Sequence, residues 1–378
     1  MRIYLDNNAT TPIDPQVLVV LNESLREVFG NASSIHREGQ AARHRIEDAR
    51  QSVADLIGAA AREIVFTSGG TESNNAALFG AAAREGIHHI VTTAIEHPSV
   101  LEPMQELARR GHTLTVVKPK SDGRVDAADV IAALRDDTRL VAMMLANNET
   151  GVIQPVGEVG RVTRERGIHL HCDAVQAAGR MDIAVEALGA DTLALSAHKL
   201  HAPKGIGALW VRKGVTLERL VFGGAQERRR RAGTENVPLA AAFGAAAVLA
   251  RDPAPRARVR ALRDALESAL AHERMRVNGA SAERVPNTSS LTFEGVDAEG
   301  LVIALDLEGI AASTGSACSS GRIEPSEVLL AMGVGEADAK STVRISLSRF
   351  TTQEEVQTAV SVLRRVLPRC RRDGSVEC

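Results

Sequence analysis

The chain has 378 residues, with 45 Lys plus Arg against 47 Asp plus Glu and a formal net charge of −2, which excludes a protein built around a strongly basic nucleic-acid-binding surface. Hydrophobic residues at 44% and charged residues at 24% exclude the disordered and fibrous classes, and the length calls for more than one domain. Aromatic residues make up only 2%, so the core must be built from Ala, Val, Leu and Ile.

No stretch approaches the apolar length of a membrane span, and the N-terminus lacks the basic start and apolar run of a secretory signal. A soluble, cytoplasmic protein without membrane or direct nucleic-acid contacts is expected. Cys172, Cys318, Cys370 and Cys378 form no CxxC pair and are too few for a disulfide framework, so each is a separate thiol.

In chain order, β-branched runs predict strands at Glu63 to Thr67, His89 to Thr93, Thr113 to Val117, Leu140 to Leu145, His169 to Asp173, Thr192 to Ser196 and Ala208 to Val211. Amphipathic spacing predicts helices over Gln40 to Ile57, Asn74 to Glu85, Leu101 to Arg110 and Val159 to Arg166. Such alternation means an α/β fold with a mostly parallel sheet, whose functional groups gather at the carboxyl ends of the strands. Asp252-Pro253-Ala254-Pro255 breaks the pattern after an Ala-rich helix. A second unit follows: helix Arg256 to Ala271, strand Ser289 to Phe293, helix Ala298 to Glu308, a Ser/Gly-rich loop, strand Thr342 to Ser346 and helix Gln353 to Val366. The basic cluster Arg228 to Arg231 reads as solvated surface or the rim of an anion site.

Five segments at strand ends carry candidate chemistry. Phe66-Thr67-Ser68-Gly69-Gly70-Thr71 runs into a helix, either as a plain helix cap or as a phosphate cradle of free N–H groups with the Thr71 hydroxyl. Glu96-His97-Pro98 places a histidine where it can stack on a planar ring and move protons, or simply fill a turn. His169, His171 and Asp173 share one face of a strand, which suits a metal site or, for Asp173, the partner of a protonated pyridine nitrogen. Ser196-Ala197-His198-Lys199 puts a lysine directly after a buried strand, where a desolvated amine can form a Schiff base. Asn147 and Asn148 offer amides after another strand. Together, cradle, histidine, aspartate and lysine are the parts that a pyridoxal phosphate site requires.

From Tyr4-Leu5-Asp6-Asn7-Asn8-Ala9-Thr10-Thr11 to Arg344-Ile345-Ser346 the chain resembles the cysteine desulfurases of the NifS/IscS type, class V of the aminotransferase-fold enzymes. Asn31 to His36, Gly69 to Asn74, Gly223 to Glu227 and Arg231 to Asn236 match as well. The resemblance implies the aspartate aminotransferase-like fold, with a large cofactor-binding domain at 15–252 and a small domain from 1–14 and 253–378. It implies Lys199 as the Schiff-base lysine, Asp173 on the ring nitrogen, Gln176 on the ring hydroxyl and His97 stacked on the ring as acid or base. Gly70, Thr71, Ser196 and His198 would bind the phosphate, and Thr234 that of a neighbouring subunit, which implies a homodimer. Asn148 and Arg344 would hold the substrate carboxylate. Cys318, in Ser313-Thr314-Gly315-Ser316-Ala317-Cys318-Ser319-Ser320-Gly321, would be the nucleophile that takes sulfur from L-cysteine and passes it to an iron–sulfur scaffold or another acceptor.

No resident metal is expected, beyond transient ligation of a nascent iron–sulfur cluster by Cys318. A selenocysteine lyase, a class V aminotransferase or a non-catalytic scaffold on the same fold are the alternatives. His201-Ala202-Pro203-Lys204-Gly205 has Ala202 where the family commonly has glycine, so a local backbone adjustment is expected. Cys172 is expected to be buried, and Cys370 and Cys378 to lie in a polar tail.

Overall fold

A computed structural model describes residues 2–83, 86, 88–315 and 324–371. Twelve strands are formed by the described residues. They are β1 (Ile3–Tyr4), β2 (Ile64–Thr67), β3 (His89–Thr93), β4 (Thr113–Val117), β5 (Thr138–Met144), β6 (His169–Asp173), β7 (Thr192–Ser196), β8 (Gly207–Val211), β9 (Met275–Val277), β10 (Thr288–Phe293), β11 (Ile310–Ala311) and β12 (Thr342–Ser346). A seven-stranded sheet has the order β2-β8-β7-β6-β5-β3-β4. β8 pairs antiparallel with both neighbours and all other pairs are parallel, so six strands point one way. The α/β class and the mostly parallel sheet are as the sequence predicts.

Helix starts lie earlier than periodicity alone suggests. The helix expected from Asn74 runs Gly70–Ala82, because backbone and not an apolar residue begins it. The helix expected from Leu101 runs Pro98–Arg109, with Pro98 in the first turn and His97 as its cap. A helix at Pro15–Glu27, absent from the sequence reading, is started by Asp14 accepting from Gln16 N and by Pro15, a legible cap signal. The Ala-rich helix Val237–Ala250 lies on Arg37–Leu56 at such close range that a Cβ on Gly244 would sit 2.7 Å from Ala49 Cα. Small side chains do here what large aromatics do in other cores. Among the described residues no single helix is long and apolar enough to cross a membrane.

One apolar cluster packs helices onto the seven-stranded sheet, with Trp210 and Phe243 among its largest members. A second joins Ile3 and Leu5 to Val259, Leu266, Phe293, Leu305, Val343, Leu363 and their neighbours around the β12-β10-β9 sheet. The N-terminal strand reaches this second cluster by pairing parallel with β11.

Candidate active site

The register Thr67–Gly207–Ser196 and Met144–Asp173–Ala194 aligns the carboxyl ends of β2, β5, β6 and β7 along one sheet edge. There a cavity of about 400 Å³ is lined by Asn8, Glu96, His97, Asn148, Gln176, Lys199 and Arg344, among others. Residues scattered over the sequence thus meet because parallel strands end together.

Lys199 ends a single 3-10 turn after β7, and its Nζ donates to Asn8 O at 2.5 Å and Ala9 O at 2.7 Å. Burial, then the nearby Arg180 and Arg344 charges, push its amine down to about 7, against the opposing pull of Asp6 and Asp173. Asp173 ends β6; its Oδ1 accepts from Val175 N at 2.9 Å and its Oδ2 from Asn74 Nδ2 at 2.8 Å. His97 caps its helix through Nδ1, which accepts from Ser99 N at 3.0 Å and lies 2.8 Å from Ser99 Oγ. Burial lowers its basicity, with Asp173 opposing and Lys199 adding to the effect.

The metal reading of the β6 histidines does not hold among the described residues, where no group of His, Cys, Asp and Glu could hold an ion. Both nitrogens of His171 are occupied, Nε2 with Asn74 Oδ1 at 2.9 Å and Nδ1 with Thr192 Oγ1 at 3.0 Å, and burial pushes its pKa to about 3. His169 Nε2 meets the same Thr192 hydroxyl at 3.0 Å.

At the other end of the site, Gly69 caps the Gly70–Ala82 helix without any side chain, so first-turn N–H groups remain available to an anion. A Cβ on Gly70 would meet Val175 Cγ2 at 2.8 Å and Ser196 Cβ at 3.5 Å, so close approach itself demands glycine. Glu72, in that first turn, is engaged by Arg231 at 2.9 Å. Thr71 is exposed at the cradle and Ser196 is buried. His198 Nδ1 contacts Thr10 Oγ1 at 3.1 Å, and burial, with Lys199, Lys204 and Arg180, lowers its pKa to about 4. Thr234 is exposed and lines a separate pocket with Ser68 and Gly205, away from Lys199 in the same chain.

Arg344, on β12, is 4% exposed and donates through Nη2 to Asp6 Oδ1 at 2.8 Å and through Nη1 to Asn148 O at 3.1 Å. Its Nε is sealed and without a partner, a donor held ready for an anion. Gln176 gives its amide to Asn8 O at 3.0 Å and accepts from Arg180.

Three contributors were not assigned roles from the sequence. Asn8 links Lys199, Gln176 and, through Nδ2, Asn148 O at 3.0 Å. Asn74 joins Asp173 to His171. Glu96 Oε1 accepts from Thr93 Oγ1 at 2.6 Å and Met144 N at 2.9 Å, while its Oε2 is buried and unpartnered. Burial, with Asp173 adding to it, pushes the Glu96 carboxyl up to about 8. The signal for each was its place in a strand-end motif, but a buried amide and a surface one look alike in sequence.

Cys172 is fully buried and its thiol is pushed well above the usual range, as expected of a strand residue. Cys370 departs from the expected polar tail: it ends the Gln353–Cys370 helix, half-buried against the second apolar cluster, because the helix continues beyond Val366. Cys318 and Cys378 lie outside the described residues. Gly315 and Glu324, the described residues flanking Cys318, both line the Lys199 cavity. Beside Ala202, His201 takes φ 63 and is held by Pro12 O and the Phe350 ring edge.

Residues 3–358 match the Aminotransferase class-V family. A relative named cysteine desulfurase IscS, from Anaeromyxobacter dehalogenans, is 47% identical over 368 residues, covering 95% of this chain and 90% of its own. A solved NifS-like protein superposes with a TM-score of 0.92 at 36% identity, covering 97% of this chain and all of its own. A structure titled SspA in complex with cysteine does so with a TM-score of 0.84 at 35% identity over 93% of this chain and 100% of its own. The meeting of lysine, histidine and arginine around one cavity and the end-to-end likeness agree: the chain belongs to the class-V aminotransferase family, among its cysteine desulfurases of the NifS/IscS type.

Proposed function

We propose that the chain removes sulfur from L-cysteine, releasing L-alanine and leaving a persulfide on Cys318 for transfer to an acceptor. The observation that carries this reading is a lysine amine lowered to about 7, with Asp173 among the charges that act on it, in a cavity also lined by His97 and by Arg344, whose Nε is partnerless. Pyridoxal phosphate is the cofactor of this family, and the residues present fit it. The cradle leaves open space at Gly69, where a Cβ would meet nothing within 4 Å, and the Lys199 amine is lowered to about 7. When bound, the cofactor supplies an aldehyde for an amine to capture and an electron sink for charge at the substrate Cα.

Lys199 would hold it through Nζ, Asp173 would accept a hydrogen bond from the ring nitrogen, and Gln176 would face the ring hydroxyl. Gly70, Thr71, Ser196 and His198 would bind the phosphate. Arg344, with Asn148 beside it, orients the substrate carboxylate, and a guanidinium fork suits that task where an ammonium does not. Lys199 then serves as the base at Cα. His97, whose Nδ1 already accepts from Ser99 N, keeps a neutral-ring proton on Nε2 and is disposed to donate. The Cys318 thiolate would attack the substrate sulfur, so that a sulfur–sulfur bond forms as the carbon–sulfur bond breaks; the electron pair stays with the substrate Cβ, which takes up a proton to become the methyl group of alanine.

The exposed Thr234 supports a composite site in a homodimer, and the second apolar cluster, drawn from residues near each end of the chain, supports a division into 15–252 and 1–14 with 253–378, although Val285, Val328, Leu329, Met332 and Ala339 pack into the first cluster. An iron–sulfur scaffold is the acceptor we favour, in keeping with relatives named IscS, and a cytoplasmic location goes with that proposal. Incubation with L-cysteine alone should yield alanine without any keto-acid acceptor; a requirement for a keto acid would point to transamination instead.

A further inference from the structure

Asn74 sits in the fifth position of a helix whose other buried residues are Ser73, Ala77, Leu78, Gly80, Ala81 and Ala82. It is 1% exposed, and an amide in such surroundings is costly unless every hydrogen bond is made. All are made. Nδ2 donates to Asp173 Oδ2 and to Ser99 Oγ, each at 2.8 Å, and Oδ1 meets His171 Nε2 at 2.9 Å. The direction of the amide is dictated by chemistry: a carboxylate accepts only, so Nδ2 faces Asp173 and Oδ1 is left for the His171 N–H. Because Ser99 Oγ accepts from Asn74, its own proton is free for His97 Nδ1 at 2.8 Å, and Ser99 N donates to the same atom at 3.0 Å. Two donors on Nδ1 leave the neutral ring's proton on Nε2.

We propose that Asn74 is a positioning residue for the reaction: aligned by the Asp173 carboxylate, it ties Asp173 through Ser99 to His97, so that the group placed at the cofactor ring nitrogen and the group placed over the ring are held as one hydrogen-bonded unit. This assignment rests on the placement of Asp173 and His97 given above. His171, with Thr192 on its far nitrogen, fixes the third side of the amide and prevents it from turning over.

The decisive variant is Asn74→Asp, which keeps the shape but presents oxygens to both Asp173 and Ser99. Asn74→Ala removes the link without adding charge. Imidazole nitrogen shifts of His97 in ¹⁵N-histidine-labelled protein, with and without pyridoxal phosphate, read the link directly whether or not cysteine is turned over. A failure of the link and a failure of the desulfurase reading are therefore separable. Wild type is expected to show an unprotonated Nδ1 and a protonated Nε2 at neutral pH. Asn74→Asp should move the Nδ1 signal and displace the pH midpoint of the bound cofactor's absorbance by about one unit. It should lower kcat by roughly 10- to 100-fold, with KM for cysteine changed less than about threefold because Arg344 is untouched. Asn74→Ala should share the loss in kcat with a smaller pH displacement. If neither variant folds, Ser99→Ala, which keeps the backbone donor, should still move the His97 Nδ1 signal. A protonated Nδ1 in wild type, or unmoved His97 signals with kcat within about twofold of wild type in the variants, overturns the proposal.

Discussion

Lys199 Nζ donates to two carbonyl oxygens of the N-terminal segment, Asn8 O at 2.5 Å and Ala9 O at 2.7 Å. The N-terminal residues therefore form one wall of the lysine's site, and their carbonyls aim the amine while burial and the Arg180 and Arg344 charges depress its basicity to about 7. Only the neutral amine captures an aldehyde. The rate at which cofactor-free protein takes up pyridoxal phosphate should rise about tenfold per pH unit below 7 and level off above about 8, followed by stopped-flow absorbance. Lys199→Arg should remove the uptake signal, and a rate that keeps climbing to pH 10 would place the amine at its ordinary value.

Arg344 keeps Nη1 and Nη2 engaged with Asn148 O and Asp6, and its buried Nε has no partner. Lysine in its place has one point charge for three directions. Arg344→Lys should raise KM for L-cysteine about 10- to 100-fold, a loss of roughly 1.4–2.7 kcal/mol, with a smaller change in kcat, measured by alanine formation under steady state.

Glu96 is held as a carboxylic acid by burial beside Asp173, with its carboxyl pushed up to about 8 against an ordinary value of 4.5. The native state thus binds a proton more tightly than the unfolded chain. Its contribution to stability is fully present below about pH 4.5 and is lost as pH rises through about 8. Glu96→Gln, which mimics the neutral acid, should match wild type near pH 5 and be more stable than it by about 1–3 kcal/mol at pH 8 to 9 in urea titrations. Equal stability of the two proteins across that range would mean that the carboxyl is ionised.

Arg50 and Glu227 form a buried two-pronged pair, at 2.6 and 3.0 Å, and each side chain is 3% exposed. Glu227 also accepts from Phe66 N at 3.0 Å and Arg50 gives a second bond to Ile64 O at 2.9 Å, so the pair fastens the Arg37–Leu56 helix and β2 to the segment leading to Thr234. Removing one partner strands a charge: Arg50→Met alone should cost about 3–5 kcal/mol, and Arg50→Met with Glu227→Leu should cost less than the single change. Denaturant unfolding of the three proteins measures the difference.

Most of this architecture was legible in the sequence because its signals are periodic or chemically singular. β7 carries its bounds in a largely apolar run and β6 in alternating side chains, and Lys199 and Asp173 stand at or just past their ends. What escaped the sequence are relationships set by tertiary closure. Asn74 looks like any polar residue in a helix's first turns until β6 brings Asp173 and His171 against it. Glu96 looks like a surface carboxylate until β5 covers it with Met144 N. The helix starting at Pro15 was legible, since Asp14 and Pro15 are ordinary cap residues, and attention to capping ahead of periodicity recovers it. Cys370 was misplaced because charged residues around it mask a helix that still has an apolar stripe.

On the mechanism proposed above, sulfur leaves L-cysteine onto Cys318. The most direct measurement is mass analysis of the Cys318 peptide, together with alanine release, after brief mixing of the cofactor-loaded protein with L-cysteine in the absence of reductant. One extra sulfur atom on that peptide for each alanine formed is the expected result, with none on Cys172 or Cys370 and no turnover by Cys318→Ser. Alanine and free sulfide produced at the wild-type rate by Cys318→Ser would contradict it.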